Sequence, residues 1–525
     1  MTRNTDDRLV FLERLLALPD LTRFPDAKAL EVVAHVIDFS SDFQRGDGID
    51  KALRWCDELE KRPLSSTNLA LLNYFRANAW HSRQQVKHTD SNVAWEWKQP
   101  EVLRQISALR TAVRGRGFDD LDAVRRPQIF TNLANQLNSL GRFVDAIPLW
   151  TRALSANPKF GMALGNRGMG LSEYGRSLYD PGHQAAFLFF AHRDLSASLS
   201  ETADFAGYDH GDAKAGFASR RAQIEKRIDV EVVGKSLHLD EHRLGDTVEE
   251  QEYRRHMLHE GLFLNPLNDL GFHSIAAQDI FVLPTFTTGL DEPPTLIGLF
   301  NQMKQEFISA RWLLYDGMAA DTLHFADRDV VLYNTLDYPS YSIAVEKVKA
   351  AFRMGYALFD KIAFFVNDYW KLGVNPRSVY FKTIWYEDQN ARAGVVRSKF
   401  ANSQNWPLRG LFWLSKDIFD PELQETAEPD AQELYTIRNC LEHTYLKVHE
   451  MLVPRGGPDI FNDRLAYSIQ RESFYRKTYR VLRLARAGMI YLSLAMHHEE
   501  RNRPAPENGI VAPMHLDRWR DEWKL

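Results

Sequence analysis

At four places in the sequence an arginine is followed by a histidine with four residues between them. They are Arg76/His81, Arg83/His88, Arg254/His259 and Arg438/His443. A histidine can exchange protons near neutral pH, and an arginine can bind an anion through paired hydrogen bonds. Such a pair could therefore do acid–base chemistry on a charged group, but the spacing alone does not choose among the four.

A long amphipathic helix predicted over about residues 430–453 favours the last pair. One face of that helix carries the apolar residues Leu434, Ile437, Leu441, Tyr445, Val448 and Leu452, and must be the buried one. Asn439 and His443 are four residues apart and lie together on the opposite face, with Arg438 at the border. Lys447, one turn further along the polar face, adds positive charge. The helix thus offers a polar triad to solvent or to a partner.

Two alternatives remain open for this triad. A histidine that points away from its own bundle is usually a plain surface residue. Glu442 follows Arg438 by four residues and could hold the arginine in a simple ion pair.

The elements around the triad predict a helical bundle. Helical patterns occur at about 295–319, 342–372, 430–453 and 463–498, and each has one strong apolar stripe, which four packed helices bury most economically. In the second helix, Gly373 and Pro376 end a stripe made of Val345, Val348, Phe352, Phe359, Ile362, Val366 and Tyr369.

An Arg-Asn-x-x-x-His motif in such a helix, preceded by a helix rich in Phe, Asn and Asp at residues 363–369, resembles the HEPN superfamily over about residues 295–500. The resemblance implies metal-independent RNA cleavage without a cofactor, in which the ribose 2′-hydroxyl attacks the adjacent phosphodiester. His443 would exchange protons with the attacking or leaving oxygen. Arg438 would stabilise the charged phosphate, and Asn439 would orient the phosphate or the imidazole.

The same resemblance implies a homodimer through the bundle, or a larger assembly built on it, because HEPN domains generally pair two Arg/His sets across one cleft. An outward-facing His443 is what such pairing requires.

The last predicted helix is rich in basic residues interleaved with aromatic ones. Arg471, Arg476, Lys477, Arg480, Arg483 and Arg486 alternate there with Phe474, Tyr475 and Tyr479. Single-stranded RNA is bound by such mixtures, so the predicted RNA contacts are Lys447, Arg476, Arg480 and Arg483. The alternative is a solvated basic face over an aromatic core.

The first part of the chain reads as successive amphipathic helices with one clear repeat. Residues 127–158 resemble a tetratricopeptide repeat (TPR) through Leu133, Ala134, Leu137, Gly141, Ala146, Trp150, Ala153 and Pro158. A second copy begins at Gly161 and departs from the pattern in its later half, and an earlier, degenerate pair covers residues 52–80. We expect a short solenoid whose concave face binds a peptide, a protein or another copy of the chain. An unspecialised array of helical hairpins is the alternative.

These patterns predict a mainly all-α protein in three parts. They are a TPR-like solenoid at residues 1–228, a connector at 229–294, where the helical period fades, and a HEPN-type bundle at 295–525.

Composition excludes several classes of function. The chain has 525 residues, a net charge of −5 and two cysteines, and it has no apolar stretch long enough to span a bilayer. It lacks a secretory signal, a glycine-rich phosphate loop and a zincin helix, since His256-Met257-Leu258-His259-Glu260 has the wrong order. We expect a cytoplasmic protein with no membrane contact and no metal site.

The favoured function is therefore an endoribonuclease cleaving tRNA or mRNA, with a toxin or anti-phage defence role suggested by the relatives alone. The alternative is a non-catalytic scaffold that binds protein or RNA and dimerises through a HEPN-like bundle. A weaker third possibility is a TPR adaptor without nucleic-acid contact. The sequence does not identify the RNA, the trigger or the ligand of the repeats.

Overall fold

The structure is a computed structural model that describes residues 2–87, 95–207, 211–289, 291–388, 394–419, 431–450, 457–458, 463–504 and 512–524. Within these residues the chain forms eighteen α-helices and one small three-stranded sheet. The fold is thus mainly all-α, as predicted.

Ten helices precede the connector and pack mostly as consecutive hairpins. They are α1 (Thr2–Leu16), α2 (Asp26–Asp42), α3 (Gly46–Glu60), α4 (Ser66–Lys87), α5 (Pro100–Arg114), α6 (Arg125–Ser139), α7 (Phe143–Ala156), α8 (Gly161–Ser177), α9 (Pro181–Ser198) and α10 (Gly211–Glu225).

The best predicted repeat is the hairpin of α6 and α7. Gly141 lies in the turn with φ of +84°, a left-handed conformation that glycine adopts without steric cost, and α7 ends two residues before Pro158. The Trp150 ring packs so closely on Gly170 of α8 that a Cβ there would lie 2.6 Å from it. A small residue at this position therefore lets α7 and α8 approach closely.

The segment predicted as a connector contains two helices, α11 (Val230–Ser236) and α12 (Val248–His259). The valine alternation at 230–233 is helical because Asp229 caps the first turn, accepting a hydrogen bond from the Val232 amide at 3.0 Å. Residues 262–281 pack on the bundle. Arg311 binds the Asp279 carboxylate at 2.7 Å, and Arg486 binds the Asp269 carboxylate at 2.7 Å.

The C-terminal bundle contains α13 (Thr295–Ala319), α14 (Ile343–Tyr369), α15 (Ser398–Ala401), α16 (Trp406–Phe419), α17 (Ala431–His443) and α18 (Arg471–Asn502). The first two long helices have the predicted positions. After α14, Gly373 adopts a φ of +68°, as expected of a residue just beyond a helix.

The prediction of one helix over 430–453 is wrong beyond His443. The chain there enters β1 (Tyr445–His449), which pairs in parallel with β3 (Ala466–Gln470), while β2 (Gly457–Pro458) pairs antiparallel with the other side of β3. The predicted helix over 463–498 accordingly begins later, at Arg471. The aromatic and β-branched residues of β1 and β3 favour strands, and their pairing overrides the apparent helical period.

The two halves of the chain share a buried contact at the α6–α7 turn. The Phe143 and Trp406 rings stack with centroids 4.4 Å apart, and the Trp406 indole donates a hydrogen bond to the Asn138 carbonyl at 3.0 Å. The Asp145 carboxylate accepts a hydrogen bond from the Tyr491 hydroxyl at 2.9 Å. The N-terminal helices are therefore packed against the bundle that carries the candidate site.

Candidate functional site in the C-terminal bundle

The three motif residues lie in the last two turns of α17. Leu434, Ile437 and Leu441 are buried, which anchors the helix on the bundle. His443 is the last residue of the helix and is exposed, while Arg438 and Asn439 are partly exposed. The exposure of His443 is as the face analysis predicts; its role in cleavage stays a prediction.

The Arg438 side chain is oriented within its own helix. Its guanidinium donates a hydrogen bond from Nη1 to Oδ1 of Asn439 at 3.1 Å. The remaining N–H groups of the fork can bind an anion such as a phosphate. The amide therefore positions the arginine at the point where the exposed face begins.

Helix α14 forms a second wall of this site, which the sequence analysis missed. Its Arg353 donates a hydrogen bond to the Leu441 carbonyl in the last turn of α17, and its Nε lies 4.0 Å from Oε1 of Glu442. Glu442 thus faces Arg353, whereas the sequence left open a pair with Arg438. A second, half-exposed guanidinium consequently lies beside the helix end that carries His443.

Tyr356 and Asp360 follow Arg353 on α14 at helical spacing, and both lie in the electrostatic field of Arg438. Burial raises the pKa of Asp360, while a hydrogen bond from the Phe381 amide at 3.2 Å and the charge of Arg438 oppose the rise. Burial also raises the pKa of Tyr356.

The Tyr356 hydroxyl is buried without a hydrogen-bond partner among the residues that the structure describes. A buried polar atom of this kind is costly and calls for an explanation. The helical spacing of Arg353, Tyr356 and Asp360 can be read from the sequence. The sequence does not show that this face of α14 packs against α17.

Residues 287–499 match the family described as LA2681-like HEPN. This part of the chain is a HEPN domain. No curated protein and no solved structure matches the chain. The match begins within the segment predicted as a connector, and the boundaries predicted at residues 228 and 294 stay predictions.

Lys447 does not lie where the sequence analysis placed it. It belongs to β1 of the HEPN domain, its side chain is 5% exposed, and its ammonium binds the carboxylates of Asp337 at 2.6 Å and Asp463 at 3.1 Å. The prediction that it extends the exposed face of His443 is wrong, because the helix has already ended. Lys447 anchors the sheet instead.

Most of the basic residues of α18 are engaged within the protein. Arg483 pairs with Glu260 and donates to its carbonyl at 2.8 Å, Lys477 binds Glu433 at 2.6 Å, and Arg486 is buried against Asp269. Arg480 is partly buried. Burial of Asp145 raises the pKa of its carboxyl, but Arg142 outweighs this effect and the charge of Arg480 acts in the same direction as Arg142, so the pKa is lowered.

Arg476 is the exception among the predicted contacts of this helix. It is largely exposed and lies 3.6 Å from Glu472. The ion pairs of Arg483, Lys477 and Arg486 are those of a helix that joins parts of the fold, although the Arg483 side chain stays 44% exposed. RNA contacts at Arg476, Arg480 and Arg483 stay predictions.

The other pairs of the same spacing have structural partners where the structure describes them. Arg76 binds Asp57 at 3.3 Å and Glu60 at 2.9 Å, and Arg254 binds Glu250 at 2.8 Å. His88 lies outside the described residues. Of the described pairs, Arg438/His443 is the one inside the HEPN match.

No described helix combines the length and the apolar character needed to cross a membrane. No group of three or more potential metal ligands was found in the described part of the chain.

Proposed function

We propose that this protein is an endoribonuclease of the HEPN type that cleaves RNA without a metal ion. The observation that carries the proposal is that Arg438 and an exposed His443 lie in the last two turns of one helix, inside a HEPN domain. An imidazole open to solvent can meet a substrate, and an arginine one turn away can meet its phosphate.

In the proposed reaction the ribose 2′-oxygen forms a bond to phosphorus, and the bond from phosphorus to the 5′-oxygen breaks. The 2′-hydroxyl loses a proton and the 5′-oxygen gains one, so the products are a 2′,3′-cyclic phosphate and a 5′-hydroxyl. His443 takes part in these proton transfers, as a general acid or base near neutral pH. The exposed position of its ring supports this role.

Negative charge grows on the phosphate oxygens as the 2′-oxygen attacks. Arg438 stabilises that charge because hydrogen bonds aimed at the place where charge develops lower the barrier. Asn439 holds the guanidinium through the 3.1 Å hydrogen bond, and the charges of Arg438 and Asp360 interact across α17 and α14. The amide therefore acts on the phosphate through the arginine.

The proposed active form is a homodimer that places two such sites in one cleft, or a larger assembly built on it. The TPR-like helices at residues 1–228 bind a peptide or protein partner and control the nuclease. A toxin or anti-phage defence role, with tRNA or mRNA as substrate, completes the proposal.

Cleavage of purified tRNA and total cellular RNA in EDTA tests it. We expect His443→Ala to cut at least ~100-fold more slowly than the wild type, because a group that transfers protons is lost. We expect Arg438→Ala to lose a similar factor. The matched control is His81→Ala, which removes an exposed histidine from an identical Arg-x4-His spacing outside the HEPN domain and should cut normally.

Equal cutting by all four proteins would mean that the motif is not the active site. Binding of RNA without cutting by the wild type would favour the non-catalytic scaffold.

A further inference from the structure

The HEPN domain carries an apolar segment, residues 323–341, between α13 and α14, that the described residues leave largely uncovered. Nine large hydrophobic side chains are exposed within it: Leu323, Phe325, Val330, Val331, Leu332, Tyr333, Leu336, Tyr338 and Tyr341. Tyr333 is 89% exposed and Val331 is 81% exposed. Exposed apolar patches of this size mark interaction surfaces in soluble proteins.

The main chain of residues 330–335 has no hydrogen-bond partner among the described residues. Residues 330–335 contain no helix, turn or bend, and between residues 329 and 339 no main-chain group bonds another main-chain group of the described residues. Asp329 and Leu336, at either end of this stretch, adopt left-handed backbone conformations with φ of 61° and 69°. The sequence Val-Val-Leu-Tyr favours a strand. The stretch therefore has the composition of a strand and lacks a sheet.

Contacts on both sides hold the segment to the domain. The Asp327 carboxylate accepts a hydrogen bond from the Ile343 amide at 3.0 Å, at the start of α14. At the other end Asp337 binds Lys447 at 2.6 Å, and the Ser340 amide donates to the Val448 carbonyl of β1 at 2.7 Å. The uncovered stretch is thus anchored to the domain at both of its ends.

We propose that residues 330–335 pair with the same residues of a second copy of this chain, as antiparallel strands about a two-fold axis. Leu336 ends the strand, because its backbone is left-handed and its amide donates a hydrogen bond to Oδ1 of Asn334 at 2.7 Å. Such pairing satisfies, in both copies at once, the N–H and C=O groups that point to the shared edge, because an unpaired strand edge is complementary to its own rotated copy. No charged residue lies between Val330 and Leu336, so the pairing brings no like charges together within the stretch.

The exposed area matches what a stable dimer needs. An aromatic side chain alone carries roughly 150–250 Å² of surface, so nine largely exposed side chains present on the order of 1,000 Å². A standard protein interface buries about 800 Å² on each partner. This one segment therefore supplies enough apolar surface for self-association.

The position of the segment links the pairing to the candidate site. The segment is bonded to β1, which begins two residues after His443, and Tyr341 lies in the electrostatic field of Tyr445. A second copy docked here lies beside the exposed imidazole. This link rests on the proposed nuclease function, in which two sites share a cleft; the pairing itself does not.

Sedimentation of the full-length chain tests the pairing through Val331→Lys and Tyr333→Lys. Both side chains are almost fully exposed, so the substitutions should leave the fold intact, as circular dichroism checks. Opposed lysines at a strand edge prevent pairing. We expect a dimeric wild type and monomeric variants. The control Val232→Lys, at a 61% exposed position on α11, should stay dimeric. A monomeric wild type, or variants with unchanged mass, would overturn the proposal.

Disulfide cross-linking gives a second readout, which does not require a substitution that disrupts the interface. Single cysteines placed in turn at residues 330–335, in a Cys440→Ser background, should cross-link on oxidation at one position or two adjacent ones nearest the two-fold axis. Cross-linking at none, or equally at all, contradicts the pairing. A cross-linked dimer that fails to cut RNA would refute the nuclease and leave the interface standing. A monomeric wild type that cuts RNA would refute the interface and leave the nuclease standing.

Discussion

At the scale of residues, the candidate site depends on how Arg438 is held. Asn439 bonds the guanidinium from within α17, and Asp360 and Tyr356 act on it from α14. The Tyr356 hydroxyl is buried, and no described residue forms a hydrogen bond with it. We infer that this wall orients the arginine towards the exposed face, so its residues should affect turnover without touching the substrate.

Asp360→Asn separates positioning from stability. Burial raises the pKa of this carboxyl, so the folded protein holds the proton more tightly than the unfolded chain, and the acid costs stability as the pH rises through the raised value. Asparagine keeps an oxygen for the Phe381 amide and removes the charge. We expect an unchanged or slightly higher free energy of unfolding at neutral pH, together with a lower kcat and an unchanged KM.

Steady-state RNA cleavage and urea unfolding measure the two quantities. A variant that loses stability and activity together would instead show that Asp360 is structural.

At the scale of elements, the sequence predicted long helices well and the end of α17 badly. The stripes of α13 and α14 are long, regular and bounded by Pro294 and Gly373, so local rules determine their ends. Beyond His443 the apolar residues Tyr445 and Val448 continue the helical spacing by coincidence. Their structure is decided by parallel pairing with residues 21 positions further along the chain, which no local pattern contains.

The candidate site shows the same division. Arg438, Asn439 and His443 are identifiable within one helix because their spacing is local. Arg353, Tyr356 and Asp360 belong to the site only because α14 packs against α17 in the tertiary structure, which local spacing does not reveal. Lys447 was misplaced for the related reason that its partner Asp337 is far away in sequence.

The contact between the α6–α7 turn and α16 has a buried ionic centre at Asp417. Arg110 binds this carboxylate at 2.6 Å and Arg142 binds it at 2.7 Å. Burial disfavours the charged form, but the two guanidinium groups outweigh it and lower the pKa of Asp417 from 3.8 to about 2. The charge on Asp417 therefore holds the repeats to the bundle.

Asp417→Asn should cost about 3–5 kcal/mol in the free energy of unfolding, because it leaves buried arginines without their partner. The lowered pKa means that the wild type draws stability from this group above the ordinary value of 3.8, and loses it as the pH falls towards 2. Urea unfolding at several pH values checks both points. An acid-induced loss equal in wild type and variant would contradict this role.

At the scale of the whole molecule, the halves are joined by more contact than a flexible linker would provide. Trp406 and Tyr491 of the HEPN domain are covered by the α6–α7 turn, and Asp269 of the preceding segment pairs with Arg486. A partner bound by the repeats could therefore act on the domain through packed contacts. The same arrangement implies that the HEPN domain does not fold well alone.

A fragment of residues 287–525 tests that dependence. We expect it to aggregate when expressed by itself, because apolar surface and the Asp417 charge lose their cover. Co-expression with residues 1–286 should restore a soluble complex. A soluble fragment with the thermal stability of the full chain would show that the two halves fold independently.

The central claim is that His443 and Arg438 catalyse attack by the ribose 2′-hydroxyl, and the ends of the cleaved RNA test it most directly. The measurement is mass spectrometry of products from a short RNA cut in EDTA, compared with the same oligonucleotide carrying a 2′-deoxyribose at the cleaved position. The account predicts a 2′,3′-cyclic phosphate and a 5′-hydroxyl from the wild type, no cutting at the deoxy position, and almost none by His443→Ala. A 5′-phosphate product, or cutting at the deoxy position, would contradict it.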